Sequence, residues 1–352
     1  MLLELDPESV IAYLKRTQRL SAGDVARAEL LAWGVSNVVL RINVEEGDDF
    51  VIKQSREKLR TEAAWTGRLD RIWREADVMR TLAQLLPAGV IPQVLFEDRE
   101  NFLFAMQAVR EDHVVWKESL LKADLDFEIA RKLGNLLSTF HRETAGDAEL
   151  RDRFGDTEIF DELRVDPFYR QVAAVHPDIA SSVNRLIDET LATSACLVHG
   201  DFSPKNILID NHKISLVDFE TGHYGDPAFD LGFFLSHLLL KTVLHSHRCT
   251  DFVKLASTFW THYVGGPKTH VQTTKQDPKS VNLERRTVQH LAGCMLARID
   301  GKSPVDYLRN ESDRDFVRRF CRGLFLDPPT GLFDAFGQLT AQLESPPQPP
   351  PL

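Results

Sequence analysis

The sequence predicts an α+β fold in two lobes: a small β-rich N-terminal lobe with one long helix, and a larger, mostly helical C-terminal lobe. Three observations carry this. Alternating β-branched runs crowd the chain up to Val109, and one amphipathic stretch, LDRIWREADVMRTLAQLL, interrupts them. Beyond Val109, apolar residues recur at helical spacing. The exception there is CLVHGDFSPKNILIDNHKISLVDFE, which holds three short β-like runs. A length of 352 residues with 43% hydrophobic content suits two lobes of ordinary size. The expected bounds are 1–108 for the N-lobe, 109–344 for the C-lobe and 345–352 for a disordered proline-rich tail.

In chain order, Val10, Ile11 and Leu14 place a helix between Asp6 and Leu20, and Ser21 and Asp24 offer caps for a second short one. VVLRINV and FVIKQ alternate about the turn EEGDD, which predicts a hairpin. Ile72, Trp73, Ala76, Met79, Leu82 and Leu86 mark one apolar face of the long helix, and Pro87 and Gly89 end it. VIPQVLFED and NFLFAMQAV predict two more strands. Next, DLDFEIARKLGNLLSTFHRET predicts a long helix with Ile129, Leu133, Leu136, Leu137 and Phe140 on its apolar side. A reversal is expected at Asp210-Asn211, a surface loop over 265–282, and helices through the rest.

The net charge of −10 opposes binding to nucleic acid or an anionic membrane through the overall field. Cys196, Cys249, Cys294 and Cys321 are too far apart for a zinc knuckle or redox pair. The N-terminus lacks the basic start and apolar run of a signal peptide, and FDLGFFLSHLLLK is too short to span a bilayer. A cytoplasmic protein with neither nucleic-acid nor membrane partner is expected; the oligomeric state is not legible.

The chemistry concentrates in H-G-D-F-S-P-K-N, His199 to Asn206, followed by D-F-E at Asp218 to Glu220. Phosphoryl transfer to a hydroxyl needs an aimed attacking oxygen, an acceptor for its proton and a cation on the phosphates. Asp201 can take the proton. Asn206 and Asp218 offer magnesium the hard oxygens it prefers. Gly200 permits a sharp turn, and His199 braces the loop. The Asp-to-Asn spacing equals that in the H-R-D-x-x-x-x-N loop of protein kinases, and an apolar run ending in Asp-Phe follows.

The phosphate side falls in the front of the chain. Lys53 ends the run FVIK, which resembles the V-A-I-K strand whose lysine holds the α- and β-phosphates. Glu75 lies on the next helix, within reach of Lys53; Glu62 is the alternative partner. Gly34, Ser36 and Asn37 form a turn before the first hairpin strand, suited to capping phosphates with backbone N–H groups. Gln107 and Val109 mark the junction where the nucleotide base is expected.

HGDFSPKNILI, the D-F-E segment and YGDPAFDLGFFL together resemble the aminoglycoside phosphotransferase and choline kinase superfamily, across the chain from Gly34 to about Leu308. The resemblance implies a bilobal protein-kinase-like fold, ATP and Mg2+ as cofactors, and transfer of the γ-phosphate to a sugar-like or aminoglycoside-like hydroxyl acceptor. It implies Asp201 as catalytic base, Asn206 and Asp218 as metal ligands, and Lys53 on the ATP phosphates. G-V-S-N, FVIKQ, VVWKESLL and GCMLARIDGKSPVDYL are similar to methylthioribose kinases. There Arg298 matches the first of two sugar-facing arginines, while Ile299 occupies the second place. Glu220 is read as a substrate contact, with a loop brace as the alternative. Asp230 is read as a partner for catalytic-loop backbone. The alternative is a silent, nucleotide- or metabolite-binding pseudokinase; the presence of Lys53, Asp201, Asn206 and Asp218 favours an active enzyme.

Overall fold

Strand alternation organises the front of the chain, as seen in a computed structural model that describes residues 3–31, 37–56, 68–266 and 278–344. Gly34, Ser36, Glu62 and the tail 345–352 lie outside the described residues, and with them the expectations placed there. Five antiparallel strands, β1 (Ala26–Leu30), β2 (Asn37–Val44), β3 (Phe50–Ser55), β4 (Val94–Asp98) and β5 (Leu103–Gln107), form one sheet in the order β1-β2-β3-β5-β4. Leu40, Ile42, Phe50, Ile52, Leu103 and Ala105 pack in one buried cluster with Val10, Tyr13 and Leu14 of α1 (Val10–Arg16). Because side chains alternate along a strand, Lys53 points away from that cluster. It points toward α2 (Arg71–Leu85), which buries Ile72, Glu75, Ala76, Met79 and Leu82.

Two local expectations change. The first helix begins at Val10, because Asp6 Oδ1 accepts from the Ser9 amide at 2.8 Å and its hydroxyl at 2.6 Å, closing a turn before the helix. Ser21 and Asp24 cap no helix: the Ser21 amide donates to Asp24 Oδ2 at 2.7 Å, and the turn delivers the chain into β1.

The chain divides into two units, Met1–Val114 with Ile207–Gly222, and Val115–Asn206 with His223–Leu352. The first therefore takes in residues 109–114 and 207–222, which the sequence reading assigned to the C-lobe. Hydrogen bonds explain this. Arg41 donates to the Val109 carbonyl at 2.8 Å, Ser215 Oγ to the Gly89 carbonyl at 2.8 Å, and the Leu216 amide to the Val90 carbonyl at 2.8 Å. The segment is a hairpin pairing Ile207–Asp210 with Lys213–Leu216. Its two-residue turn is Asn211-His212, one position later than expected; both have positive φ, 46° and 64°, as a tight right-twisting hairpin demands.

The second unit is helical: α3 (Trp116–Leu121), α4 (Phe127–Thr144), α5 (Ala148–Phe154), α6 (Glu158–Phe160), a wide π-helical stretch over Asp161–Arg170, α7 (Gln171–Val175), α8 (Ala180–Ala192), α9 (Pro227–Leu244), α10 (Cys249–Val264), α11 (Pro278–Asp300), α12 (Glu311–Leu326) and α13 (Leu332–Glu344). Short strands Cys196–Val198 and His223–Gly225 pair antiparallel. The loop expected over 265–282 gives way to helix at Pro278, a residue well suited to a first helical turn. α9 is long and apolar enough to cross a membrane, but 89% of that window is buried inside the protein. At Gly232 of α9 an added Cβ would lie 2.3 Å from His290 Cβ, so glycine permits the close approach of α11.

Candidate active site

In the first unit, one ammonium sits among carboxylates. Lys53 Nζ lies 2.8 and 2.7 Å from the two Glu75 oxygens and 2.5 Å from Asp218 Oδ1. Lys53 is 5% exposed and Glu75 0%, so these are not surface pairs of negligible value. Burial alone would discharge Lys53, but Asp218, Glu75 and Glu220 outweigh it and hold the ammonium charged. Burial also pushes the Glu75 carboxyl up to about 7; Lys53 opposes this, while Asp218 and Glu220 reinforce it. The directions agree once the charges are weighed: the carboxylates outnumber the cations. Asp218 holds a left-handed backbone, φ 71°, a conformation costly for most residues but tolerated by aspartate. It places the Phe219 amide 3.3 Å from Glu75 Oε1.

Glu220 belongs to the same cluster. Its Oε2 accepts from Asn37 Nδ2 at 3.0 Å and from Arg71 Nε at 3.2 Å, and the residue is 6% exposed. Of the two roles expected for Glu220, this geometry is that of a brace. Asn37 likewise turns its side chain to Glu220, while its backbone begins β2. At the end of β5 the Gln107 amide donates to the Gln93 carbonyl at 2.8 Å, and the Val109 carbonyl already accepts from Arg41. A base at this junction would have to share that carbonyl.

In the second unit, the H-G-D loop is pinned from below. Asp230, fully buried in the first turn of α9, accepts the His199 amide at 2.7 Å and the Gly200 amide at 2.9 Å, and meets His141 Nε2 at 3.1 Å. Burial would raise its pKa, but the His141 hydrogen bond and charge hold it below the usual carboxylate range. Asp230 is thus the backbone partner the sequence suggested. Gly200 has φ 73°, and the Asp201 amide donates to His199 Nδ1 at 3.2 Å, so glycine turns the loop and histidine braces it.

Asp201 Oδ2 gathers three donors: Asn206 Nδ2 at 2.9 Å, Lys205 Nζ at 2.8 Å and an Arg164 nitrogen at 2.9 Å. The Asn206 amide nitrogen is therefore turned to Asp201, which leaves its oxygen end for another partner. Arg298 of α11 donates to Ser303 Oγ at 3.1 Å, while nearby Asp300 is paired with Arg318 at 2.7 Å.

The structure thus brings Lys53, Glu75, Asp218, Glu220 and Asn37 together in the first unit, and Asp201 with Asn206 in the second. Sequence reasoning missed Arg71, Arg164 and Lys205. Lys205 stood inside the motif, four residues after Asp201, a spacing at which opposite charges often meet. Arg164 had no such signal, because its position depends on the π-helical turn it occupies. Magnesium binds through one or two protein carboxylates plus phosphate oxygens; the Asp218 carboxylate of the first unit and the Asn206 amide oxygen of the second are each donors of that kind.

A two-unit α+β chain with this lysine–glutamate pair has a kinase-like fold. Residues 27–245, more than half the chain, match the phosphotransferase enzyme family (APH), and the chain belongs to that family. A methylthioribose kinase from Pectobacterium carotovorum is 27% identical over 241 residues, covering 61% of this chain and 60% of that protein; one from Yersinia pestis is 25% identical over 242 residues, covering 61% and 59%. The chain thus spans about 60% of the length of the curated relatives it matches. Among solved structures, choline kinase from Cryptosporidium parvum superposes with a TM-score of 0.58 at 11% identity, covering 97% of this chain and 100% of that one. Amicoumacin kinase in complex with AMP-PNP and Ca2+ gives 0.57 at 15% identity, covering 96% and 98%. At these identities the superpositions show the fold alone.

Proposed function

We propose that the protein is an ATP- and magnesium-dependent phosphotransferase that moves the γ-phosphoryl group to a hydroxyl of a small molecule. The observation that carries this is the buried Lys53 ammonium clamped between Glu75 and Asp218. A lysine fixed in this way is ready for α- and β-phosphates at no further ordering cost. Family membership and the kinase-like fold support the reading.

Each residue then has a task. Glu75 keeps Lys53 in place. Asp218 and the Asn206 amide oxygen would hold magnesium, which supplies charge neutralisation on the phosphates. Glu220, with Asn37 and Arg71, fixes the course of the chain after Asp218. Gln107 and Val109 border the base, and Gly34 and Ser36 belong to the phosphate-capping turn. Asp201 orients the acceptor hydroxyl and takes its proton. Lys205 and Arg164 hold the Asp201 carboxylate in one orientation. Arg298 meets the acceptor.

The test is ATP consumption by purified protein across sugars, amino alcohols, aminoglycosides and hydroxy acids, repeated with Asp201→Asn. Loss of the base is expected to cut turnover by about 10²–10⁴-fold with nucleotide affinity unchanged. Near-normal turnover would remove Asp201 from its role. No magnesium-dependent nucleotide binding by the wild type would end the phosphotransfer reading.

A further inference from the structure

The second unit holds a cavity of about 290 Å³ walled by α3, residues 204–205, α9, α11 and residues 304–307. Its charge is one-sided. Lys117, Lys205, Lys241 and Arg298 line it, against the single acidic side chain of Asp306. This is not a solvated basic face. Lys241 is 0% exposed, yet its ammonium donates only to the His237 carbonyl of its own helix, at 3.1 Å, and lies 5.2 Å from the centre of the Tyr307 ring. Among the described residues, neither Lys241 nor Arg298 forms an ion pair with a carboxylate. Three polar atoms of the lining, His237 Nε2, Arg298 Nε and Tyr307 OH, are buried without a hydrogen-bond partner. His237, at 8% exposure, is itself more than nine-tenths buried.

Buried positive charge without a counterion is costly, and proteins keep it where something supplies the negative partner. The electrostatic strain is visible: burial, then Lys117 and Arg298, push the Lys241 ammonium down to about 7. Burial keeps His237 neutral, so its ring can still donate one hydrogen bond. Cations in a fixed pocket with a neutral donor beside them are the chemistry of carboxylate and phosphate recognition. The cavity also borders the proposed base, because Lys205 lines it while its ammonium sits 2.8 Å from Asp201 Oδ2.

We propose that this cavity binds an anionic group on the acceptor, so that the hydroxyl substrate is an acidic small molecule, a carboxylate or phosphate ester, and not a cationic amino sugar. This rests on the phosphotransfer reading and narrows it. The volume lies near the lower end of the roughly 300–1,000 Å³ usual for small-molecule sites, which suits a compact metabolite.

Calorimetric titration of the wild type with glycerate, ribose 5-phosphate, ribose and ethanolamine tests the cavity, and the same compounds serve as acceptors in an ADP-release assay. Glycerate or ribose 5-phosphate is expected to bind and to be turned over, with ribose and ethanolamine inert; which of the two anions wins tells carboxylate from phosphate. Lys241→Met should weaken the bound anion by about tenfold or more, the scale of one lost charge-assisted hydrogen bond, with magnesium–ATP affinity unchanged. Should that variant fail to fold, Lys117→Gln on the half-exposed rim reads the same effect. Binding of the neutral or cationic probes equal to that of the anions would overturn the proposal, as would unchanged anion affinity in the folded variants. If anions bind and respond to these substitutions while magnesium–ATP does not bind at all, phosphotransfer falls and the anion site stands.

Discussion

In the first unit Glu75, Asp218 and Glu220 share two cations, Lys53 and Arg71; in the second, Lys117, Lys241 and Arg298 line a cavity whose one acidic side chain is Asp306, while the fourth cation of the lining, Lys205, is paired with Asp201. The two clusters are electrostatic opposites under the same rule, that a buried charge requires a partner. Each responds by drifting toward neutrality. The Glu75 carboxyl rises to about 7 and the Lys241 ammonium falls to about 7, both led by burial. An excess of carboxylates suits a cation from outside, and an excess of ammonium groups suits an anion. In each unit the protein's own charges are incomplete on the side where a ligand of opposite sign is proposed.

If imbalance marks ligand sites, a purely structural charge should be balanced, and Asp230 is the control. Both its oxygens are matched by the His199 and Gly200 amides and by His141. Asp230→Ala would strand these donors in a fully buried place. A loss of about 3–5 kcal/mol of unfolding free energy is expected in urea denaturation, as for breaking a buried ion pair. A loss below about 1 kcal/mol would show that Asp230 does not hold the loop.

Asp218→Asn tests the negative cluster directly. It keeps the shape and removes one charge facing Lys53. Turnover should fall by about 10²–10³-fold, the scale of losing one preorganised electrostatic contact, and magnesium should no longer strengthen nucleotide binding. The same substitution takes away a charge that raises Glu75, so the Glu75 carboxyl should titrate lower. Unchanged magnesium dependence would remove Asp218 from the metal.

How much of this was legible in the sequence follows from the range of each interaction. The hairpin of β2 and β3, the helix α2 and the Lys53–Glu75 pair were readable because strand alternation and helical period decide them locally. The same holds for the H-G-D loop and for Asp230, whose place in the first turn of α9 suggested a backbone partner. β1 was missed because Ser21 and Asp24 suit a helix cap and a turn equally well. The bracing of Glu220 by Asn37 and Arg71 spans 183 and 149 residues of sequence, and no local pattern encodes it. The basic cavity was least visible: its cations come from α3, α9, α11 and the loop after Asp201, each alone an ordinary charged residue. Only Arg298 was singled out, by resemblance.

The smallest effect is the most specific to the comparison. A Glu75 carboxyl that titrates near 7 in the folded chain but near its ordinary 4.5 when unfolded keeps a proton that the unfolded chain gives up between those values. Stability must then fall as pH rises from about 4.5 to 7 and level off above, the reverse of the usual carboxylate trend. Other groups titrate in the same window, so the quantity to measure is a difference: unfolding free energy against pH for the wild type minus that for Glu75→Gln. That difference should decline by at most about 3.4 kcal/mol across the window. Saturating magnesium and nucleotide should flatten it, since added positive charge offsets the excess carboxylates that raise Glu75. A flat difference in the free protein would mean that Lys53 and Arg71 already balance the cluster, and the contrast between the two units would lose its negative half.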